Sequence, residues 1–196
     1  MKKTFTFLIV IVGAFIIWNL IQTKPREDIQ NAEVSSEVIL GENIGSDTAR
    51  VSEEGIKNFL ETKVSFKGFG PGKEHSGSFT SVDSTMMLDE NGMPSGRVVV
   101  FMDSLLVDTE AVTKHLKTVD FFDVVKFETS IFTIENITNG KADGSMTIHG
   151  VTKKISFDVT ESNEDFNATF NIDMKDFGIN QTFANEVVEL SVSIKK

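Results

Sequence analysis

Histidine is the residue type best suited to metal or acid–base chemistry in this chain, which has no cysteine. The three histidines are His75, His115 and His149. No two of them stand three or four residues apart, the spacing that brings two imidazoles together on one face of a helix. His149 also falls on the polar side of an alternating segment. The sequence therefore predicts no metal site.

Two short motifs resemble reactive loops only in part. Ser145 follows Gly144, but Met146 comes next and the pattern of a nucleophile elbow is incomplete. Residues 68–73 are rich in glycine and end in Lys73, but Glu74 stands where a phosphate loop has Ser or Thr. Lys73 could still contact a diphosphate. We therefore predict a protein that is not an enzyme, with no catalytic residue and no cofactor.

Composition and charge exclude several classes of protein. With 40% hydrophobic and 24% charged residues, the 196-residue chain is expected to fold and not to be disordered throughout. Its 29 acidic and 19 basic residues give a net charge of −10, which argues against nucleic acid as a partner. The absence of cysteine excludes both a disulfide framework and a lipid-modified N-terminal cysteine.

The long apolar run at residues 4–22 carries no charge and is typical of a membrane anchor. At about 1.5 Å per residue, a helix of this length nearly spans a hydrocarbon core of about 30 Å. Lys2 and Lys3 precede it and should stay in the cytoplasm, while Trp18 suits the far interface. No small-residue cleavage site follows the run, so an uncleaved signal anchor is favoured over a cleaved signal peptide.

This orientation predicts a single-pass protein of the bacterial cell membrane, with the C-terminal domain extracytoplasmic, in the periplasm or at the cell exterior. We divide the chain into an anchor at 1–23, a polar linker at 24–47 and a folded domain at 48–196. Apolar residues between 34 and 40 could form one short strand within the linker.

Apolar and polar residues alternate with a period of two along much of the folded domain, which is typical of half-buried strands. Asn139-Gly140 is a typical hairpin turn. The predicted strands lie near 62–70, 77–88, 96–103, 127–138, 142–149, 152–161, 165–175 and 186–195. The predicted fold class is all-β, an eight-stranded antiparallel barrel whose closure removes exposed edges.

One short helix is predicted over 109–118, with Asp108 or Thr109 as its cap. Two adjacent aromatic residues, Phe121 and Phe122, follow in a tight turn. They could plug one end of the barrel or line a ligand entrance.

Several motifs resemble those of one known family. Residues 114–124 read KHLKTVDFFDV, residues 144–153 read GSMTIHGVTK, and residues 75–79 read HSGSF. In this order they are similar to the motifs of the YceI-like, polyisoprenoid-binding family. The resemblance implies an exported, lipocalin-like barrel with a long apolar cavity that holds an isoprenoid chain. Two departures are Phe127-Glu128, where the family usually has Tyr-Pro, and Met174 in place of an arginine.

The predicted ligand-binding residues are apolar side chains on the inward faces of the strands, together with apolar residues of the helix and of the following turn. They are Val64, Phe66, Phe79, Val98, Val100, Met102, Leu116, Phe121, Phe122, Phe132, Ile134, Met146, Ile148, Phe157, Phe170, Ile172, Leu190 and Val192. Possible contacts to a polar headgroup are His115 and Lys73. The alternative is that these side chains simply fill the barrel.

These features support a membrane-tethered carrier of a polyisoprenoid lipid or quinone, contacting the membrane through residues 4–22. An apolar chain would gain about 0.8 kcal/mol for each CH₂ that it buries, so binding needs no catalytic group. The alternative is an interaction module with a filled core that acts through its acidic surface, without a lipid ligand. An enzyme acting on a lipid is the least supported reading. The oligomeric state is unknown from the sequence.

Overall fold

The computed structural model describes residues 23–39, 56–57, 61–88, 94–163, 165–180 and 185–195. The predicted anchor at 4–22 lies outside these ranges. So do residues 40–55, where the linker was predicted to meet the folded domain.

Across the ranges that the structure describes, no helix is both long and apolar enough to cross a membrane.

The described chain is built from antiparallel strands and one α-helix, α1, at Glu110–Leu116. The strands are β1 (Glu33–Val38), β2 (Ile56–Lys57), β3 (Glu61–Gly70), β4 (Lys73–Phe79), β5 (Val82–Leu88), β6 (Pro94–Phe101), β7 (Leu105–Val107), β8 (Thr129–Thr138), β9 (Lys141–Ile148), β10 (Val151–Asp158), β11 (Thr160–Glu161), β12 (Asp165–Asp173) and β13 (Val187–Lys195). Short 3-10 turns occupy Met102–Ser104 and Met174–Phe177.

The strands form two sheets. One has seven strands in the order β1-β10-β9-β8-β6-β5-β2, and the other has six in the order β11-β12-β13-β3-β4-β7. The predicted all-β, antiparallel class is confirmed. The described pairings form two sheets and not one ring of eight strands, so the closed barrel is not established by them.

The predicted strand at 77–88 is wrong as a single element, because the chain leaves one sheet and enters the other at Thr80 and Ser81. Ser104 holds this corner. Its hydroxyl accepts from the Ser81 amide at 3.1 Å and its carbonyl accepts from the Thr80 amide at 3.2 Å. These tertiary bonds replace ladder bonds, so β4 ends at Phe79 and β5 begins at Val82.

Residues 23–39, which we call the N-terminal strap, lie against both sheets. Glu189 of β13 is 6% exposed and accepts two bonds from Arg26, Nη2 to Oε1 at 3.1 Å and Nε to Oε2 at 3.2 Å. The Asn171 side chain donates to the Ile29 carbonyl at 3.0 Å. β1 then pairs with β10 at the edge of the other sheet. The described part of the predicted linker is therefore a docked segment that bridges the two sheets.

Helix α1 lies within the predicted range 109–118. Thr109 is its N-cap residue, but its side chain makes no capping hydrogen bond. The carboxylate of Asp108, the other predicted cap, is bonded to His75 instead. The hydroxyl of Thr113 anchors the helix by accepting from the Val107 amide at 2.9 Å. Helix α1 is thereby attached to the end of β7.

Candidate ligand-binding site

A cavity of about 390 Å³ lies between the two sheets. Its lining is dominated by aliphatic, aromatic and methionine side chains from the inward positions of the strands. Pockets that hold small molecules commonly measure about 300–1,000 Å³ and have few polar groups. The interior has the size and chemistry to take an apolar ligand.

The structure brings almost all of the predicted ligand-binding residues to this cavity. Those in the lining are Val64, Phe66, Phe79, Val98, Val100, Met102, Leu116, Phe121, Phe122, Phe132, Ile134, Met146, Ile148, Phe157, Phe170, Leu190 and Val192. The exception is Ile172, which is buried in an apolar cluster with Phe177 and Ile179 and does not line the cavity. It lies near the end of β12, beside the 3-10 turn that covers it.

One wall of the cavity is dense. It is formed by Met146, Ile148, Phe157 and Phe170 of β9, β10 and β12, all of which are buried. The Phe157 and Phe170 rings are stacked, with centroids 4.0 Å apart and planes 13° apart. Because these side chains cover one another, little of the dense wall is left for solvent or ligand.

A second part of the lining, which we call the open wall, continues from Phe170 along the same sheet, where Leu190 of β13 is its register partner. It is formed by Phe66, Phe79, Leu190 and Val192 of β3, β4 and β13, and each of these is only half-buried although it lines the cavity. The Phe66 and Phe79 centroids are 5.7 Å apart and the rings are tilted by 45°. An inward apolar side chain that stays partly exposed faces empty space, so the open wall offers apolar area that a ligand could cover.

One end of the cavity, which we call the loop end, is formed by three segments. They are the β3–β4 turn with Gly70 and Pro71, helix α1, and the loop at 117–127. Phe121 and Phe122 both line the cavity, with centroids 4.6 Å apart. The His115 ring lies edge-on to Phe121 at 6.1 Å. Both predicted roles of Phe121 and Phe122, plugging one end of the barrel or lining a ligand entrance, are compatible with this position at the loop end.

The polar groups at the loop end differ in part from those predicted. His115 lines the cavity, as expected for a headgroup contact, but Lys73 does not. The Lys73 ammonium lies 3.6 Å from Asp108 Oδ2. His75 lines the cavity instead, on the same face of β4 as Phe79, and its Nδ1 is 2.7 Å from Asp108 Oδ1. This hydrogen bond with His75 is the main cause that lowers the pKa of Asp108.

Sequence reasoning missed His75 as a lining residue although its motif was noted. His75 stands four residues before Phe79, with Gly77 midway, so the period of two that placed Phe79 inward also places His75 inward. Asn185 and Glu186, just before β13, also line the cavity and gave no periodic signal. Glu186 forms an ion pair with Lys175.

The remaining histidine lies away from the cavity lining. His149 is in the β9–β10 turn with a φ of 51°, and its ring centroid is 4.3 Å from that of Phe127. Burial lowers the pKa of His149. Among the residues described by the structure, no cluster of His, Cys, Asp or Glu is placed to hold a metal ion.

Comparison with known proteins finds relatives among bacterial proteins. A UPF0312 protein of Yersinia enterocolitica is 28% identical over 164 residues, covering 74% of this chain and 84% of the relative. Protein YceI of Salmonella arizonae is 26% identical over the same coverage. These matches extend over most of both chains.

Solved structures share the fold. The crystal structure of Burkholderia cenocepacia BcnA matches with a TM-score of 0.59 and 16% identity, covering 69% of this chain and 96% of that one. A polyisoprenoid binding domain from Saccharophagus degradans matches with a TM-score of 0.55 and 9% identity, covering 72% and 95%. Residues 57–195 match the family model described as the YceI-like domain, and the chain belongs to this family.

Proposed function

We propose that this protein is an extracytoplasmic, membrane-tethered lipid-binding protein that holds a polyisoprenoid or isoprenoid-quinone chain in its cavity. The observation that carries the proposal is the open wall, whose inward apolar side chains remain half-buried around a cavity of about 390 Å³. A structural neighbour described as a polyisoprenoid binding domain supports the same ligand class.

The driving force for binding is the burial of apolar surface. Each CH₂ of the ligand gains about 0.8 kcal/mol when it leaves water, and side chains that border empty space gain dispersion contacts when it is filled. A branched isoprenoid chain suits an irregular wall of Phe, Val, Leu and Met side chains, because methionine and aromatic groups adapt to uneven shapes. Affinity therefore comes from the ligand's chain.

The loop end supplies polar contacts for a headgroup. Because Nδ1 of His75 faces a carboxylate, it carries the proton and donates to Asp108, which leaves Nε2 free to accept from a hydroxyl when the ring is neutral. His115 offers a second imidazole. Glu186 is another lining residue at this end, and its carboxylate is paired with Lys175.

The proposed location follows from the apolar run at 4–22, which would hold the domain beside the membrane on its outer side. The filled-core interaction module needs an interior without space for a ligand, and the observed cavity counts against it. We propose binding and not turnover as the activity.

The test compares two leucine substitutions that add the same side chain. Leu190→Trp fills the open wall, whereas Leu106→Trp lies on an exposed position outside the cavity lining. The full chain is purified in mild detergent, its bound lipid is identified by native mass spectrometry, and uptake of a fluorescent geranylgeranyl probe is titrated.

We expect wild type and Leu106→Trp to bind the probe and Leu190→Trp to lose most of this binding. Equal uptake by all three folded proteins, or no uptake by wild type, would contradict the proposal.

A further inference from the structure

The first described residue of the N-terminal strap is fixed to the loop end of the cavity. The Thr23 amide donates to the Gly70 carbonyl at 3.1 Å, and its hydroxyl lies 2.8 Å from the same oxygen and 3.2 Å from the Lys73 carbonyl. Gly70 and Pro71 of this turn line the cavity. The chain therefore enters the domain directly beside the loop end.

A charged clamp holds the strap in this position. Arg26 and the buried Glu189 carboxylate form two parallel hydrogen bonds, a geometry that restricts orientation as well as distance. Glu189 is the main cause that raises the pKa of Arg26. The entry point of the chain thus has a defined place on the domain.

The loop end also carries unusually exposed aliphatic residues. Val119 is 73% exposed and Val125 is 86% exposed, and both lie in the loop that sends Phe121 and Phe122 into the cavity. Val38 and Ile39, at the other end of the strap, are exposed too, and the Ile39 amide donates to Thr152 beside the β9–β10 turn. Two exposed aliphatic side chains, Val119 and Val125, therefore lie in a loop that forms the same end of the cavity as the turn bound by Thr23.

From these contacts we infer that the loop end docks on the lipid bilayer, with Val119 and Val125 at the membrane surface and the cavity opening toward the outer leaflet. The inference rests on the proposed tethering. Thr23 follows directly after the apolar run at 4–22, and one extended residue spans only about 3.5 Å. An anchor that ends there would hold the β3–β4 turn at headgroup depth.

This arrangement identifies the source of the ligand as the membrane that carries the protein. An isoprenoid chain could pass between the leaflet and the cavity along Phe121 and Phe122 without crossing water. The opposite end of the domain would point away, since a nine-residue strand such as β13 is about 30 Å long. The strap would thus act as an orienting device and not as a loose tether.

The test uses the absence of cysteine in the natural chain, which makes every introduced cysteine unique. Full-length Val119→Cys, Val125→Cys and Asn163→Cys are each labelled with the fluorophore NBD and reconstituted in phosphatidylcholine vesicles. Asn163 is exposed between β11 and β12, at the end opposite the loop end, and is the matched control. A nitroxide on the lipid headgroup then quenches labels that lie at the surface.

We expect the lipid nitroxide to remove most of the emission at positions 119 and 125 and to leave position 163 nearly unchanged. Equal quenching at the two ends, or stronger quenching at 163, overturns the inference. Emission changes at 119 that follow protein density in the vesicle and not nitroxide content would assign this surface to a second copy, and they also overturn it.

Two further measurements separate this inference from the proposed function. Failure of the full chain to float with the vesicles would contradict the tethering itself. Loss of uptake of the fluorescent geranylgeranyl probe in detergent would contradict the ligand assignment. If flotation and uptake are both retained while the quenching pattern fails, only the orientation is wrong.

Discussion

The dense and open walls of the cavity have the same alternating sequence pattern but different surroundings. On the dense wall, the Phe157 ring stacks on Phe170 with centroids 4.0 Å apart, and it also contacts the half-buried Phe132 of β8 at 5.2 Å. On the open wall, Leu190 and Val192 of β13 point into the cavity and stay half-buried. Both walls are apolar, but only the dense wall has its contacts completed within the protein.

The difference indicates that the dense wall contributes mainly to stability and the open wall mainly to ligand binding. A side chain with partners on all sides contributes transfer and dispersion energy to folding, whereas one that faces a void lacks part of that energy until a ligand supplies it. We therefore expect substitutions behind the dense wall to change stability most. Substitutions on the open wall should change lipid uptake most.

The largest effect is expected at Phe177, which lies in the apolar cluster behind the dense wall with a relative exposure of 0% and does not line the cavity. Phe177→Ala removes a ring from a fully enclosed site, so it should lower the free energy of unfolding by about 3–5 kcal/mol. Urea denaturation measures this loss. Probe uptake per folded molecule should be unchanged. A defect in uptake by fully folded Phe177→Ala would show that the cluster around Phe177 is coupled to the open wall.

A smaller effect is expected from adding volume to each wall. Ile148→Trp on the dense wall should lower the free energy of unfolding by about 1–3 kcal/mol, because overpacking forces neighbours out of their rotamers. Leu190→Trp on the open wall should cost less, since its ring can enter the cavity. Thermal denaturation of Ile148→Trp and Leu190→Trp compares the two losses of stability. Equal destabilisation would mean that the cavity has no room for an added ring.

Alternation predicted the inward faces well because the period of two is a local property of strands. Phe170, Leu190 and Val192 line the cavity as predicted, whereas Ile172, near the end of β12, packs in the cluster with Phe177 and Ile179. A local pattern of alternation does not show which side chains from the following turn pack against the end of a strand. The boundary between cavity and core therefore could not be predicted from periodicity.

Long-range polar contacts account for the features that the sequence did not reveal. The sheet change at Ser81 depends on Ser104, and the strap depends on the pairing of Arg26 with Glu189, which is 163 residues away. The strap's polar composition is equally typical of a free linker. Likewise, Lys73 seemed suited to a headgroup, but Asp108 lies between it and His75 and takes part in bonds to both.

Leu190→Ala should weaken ligand binding more than it weakens the fold. Removing a buried leucine typically costs about 2–5 kcal/mol, but the Leu190 side chain already borders the cavity and has fewer partners to lose, so we expect about 1 kcal/mol. Uptake of the geranylgeranyl probe should fall, because the open wall loses contact area. A loss of stability as large as that of Phe177→Ala would abolish the distinction between the walls.

The smallest effect concerns His149, at the turn between β9 and β10 of the dense wall. Burial lowers the pKa of its imidazole below the ordinary 6.5, so below that pH the unfolded chain binds a proton more readily than the folded chain does. The stabilising contribution is complete above about pH 6.5 and decreases as the pH falls toward the folded-state pKa. The variant His149→Asn separates this effect from backbone strain, because asparagine tolerates the positive φ but does not titrate.

In urea denaturation at about pH 8 and about pH 5.5, His149→Asn should lose less stability on acidification than wild type. Probe uptake should not differ between the two proteins at either pH, because His149 lies outside the cavity lining, and a pH-dependent difference in uptake would extend its influence to the open wall.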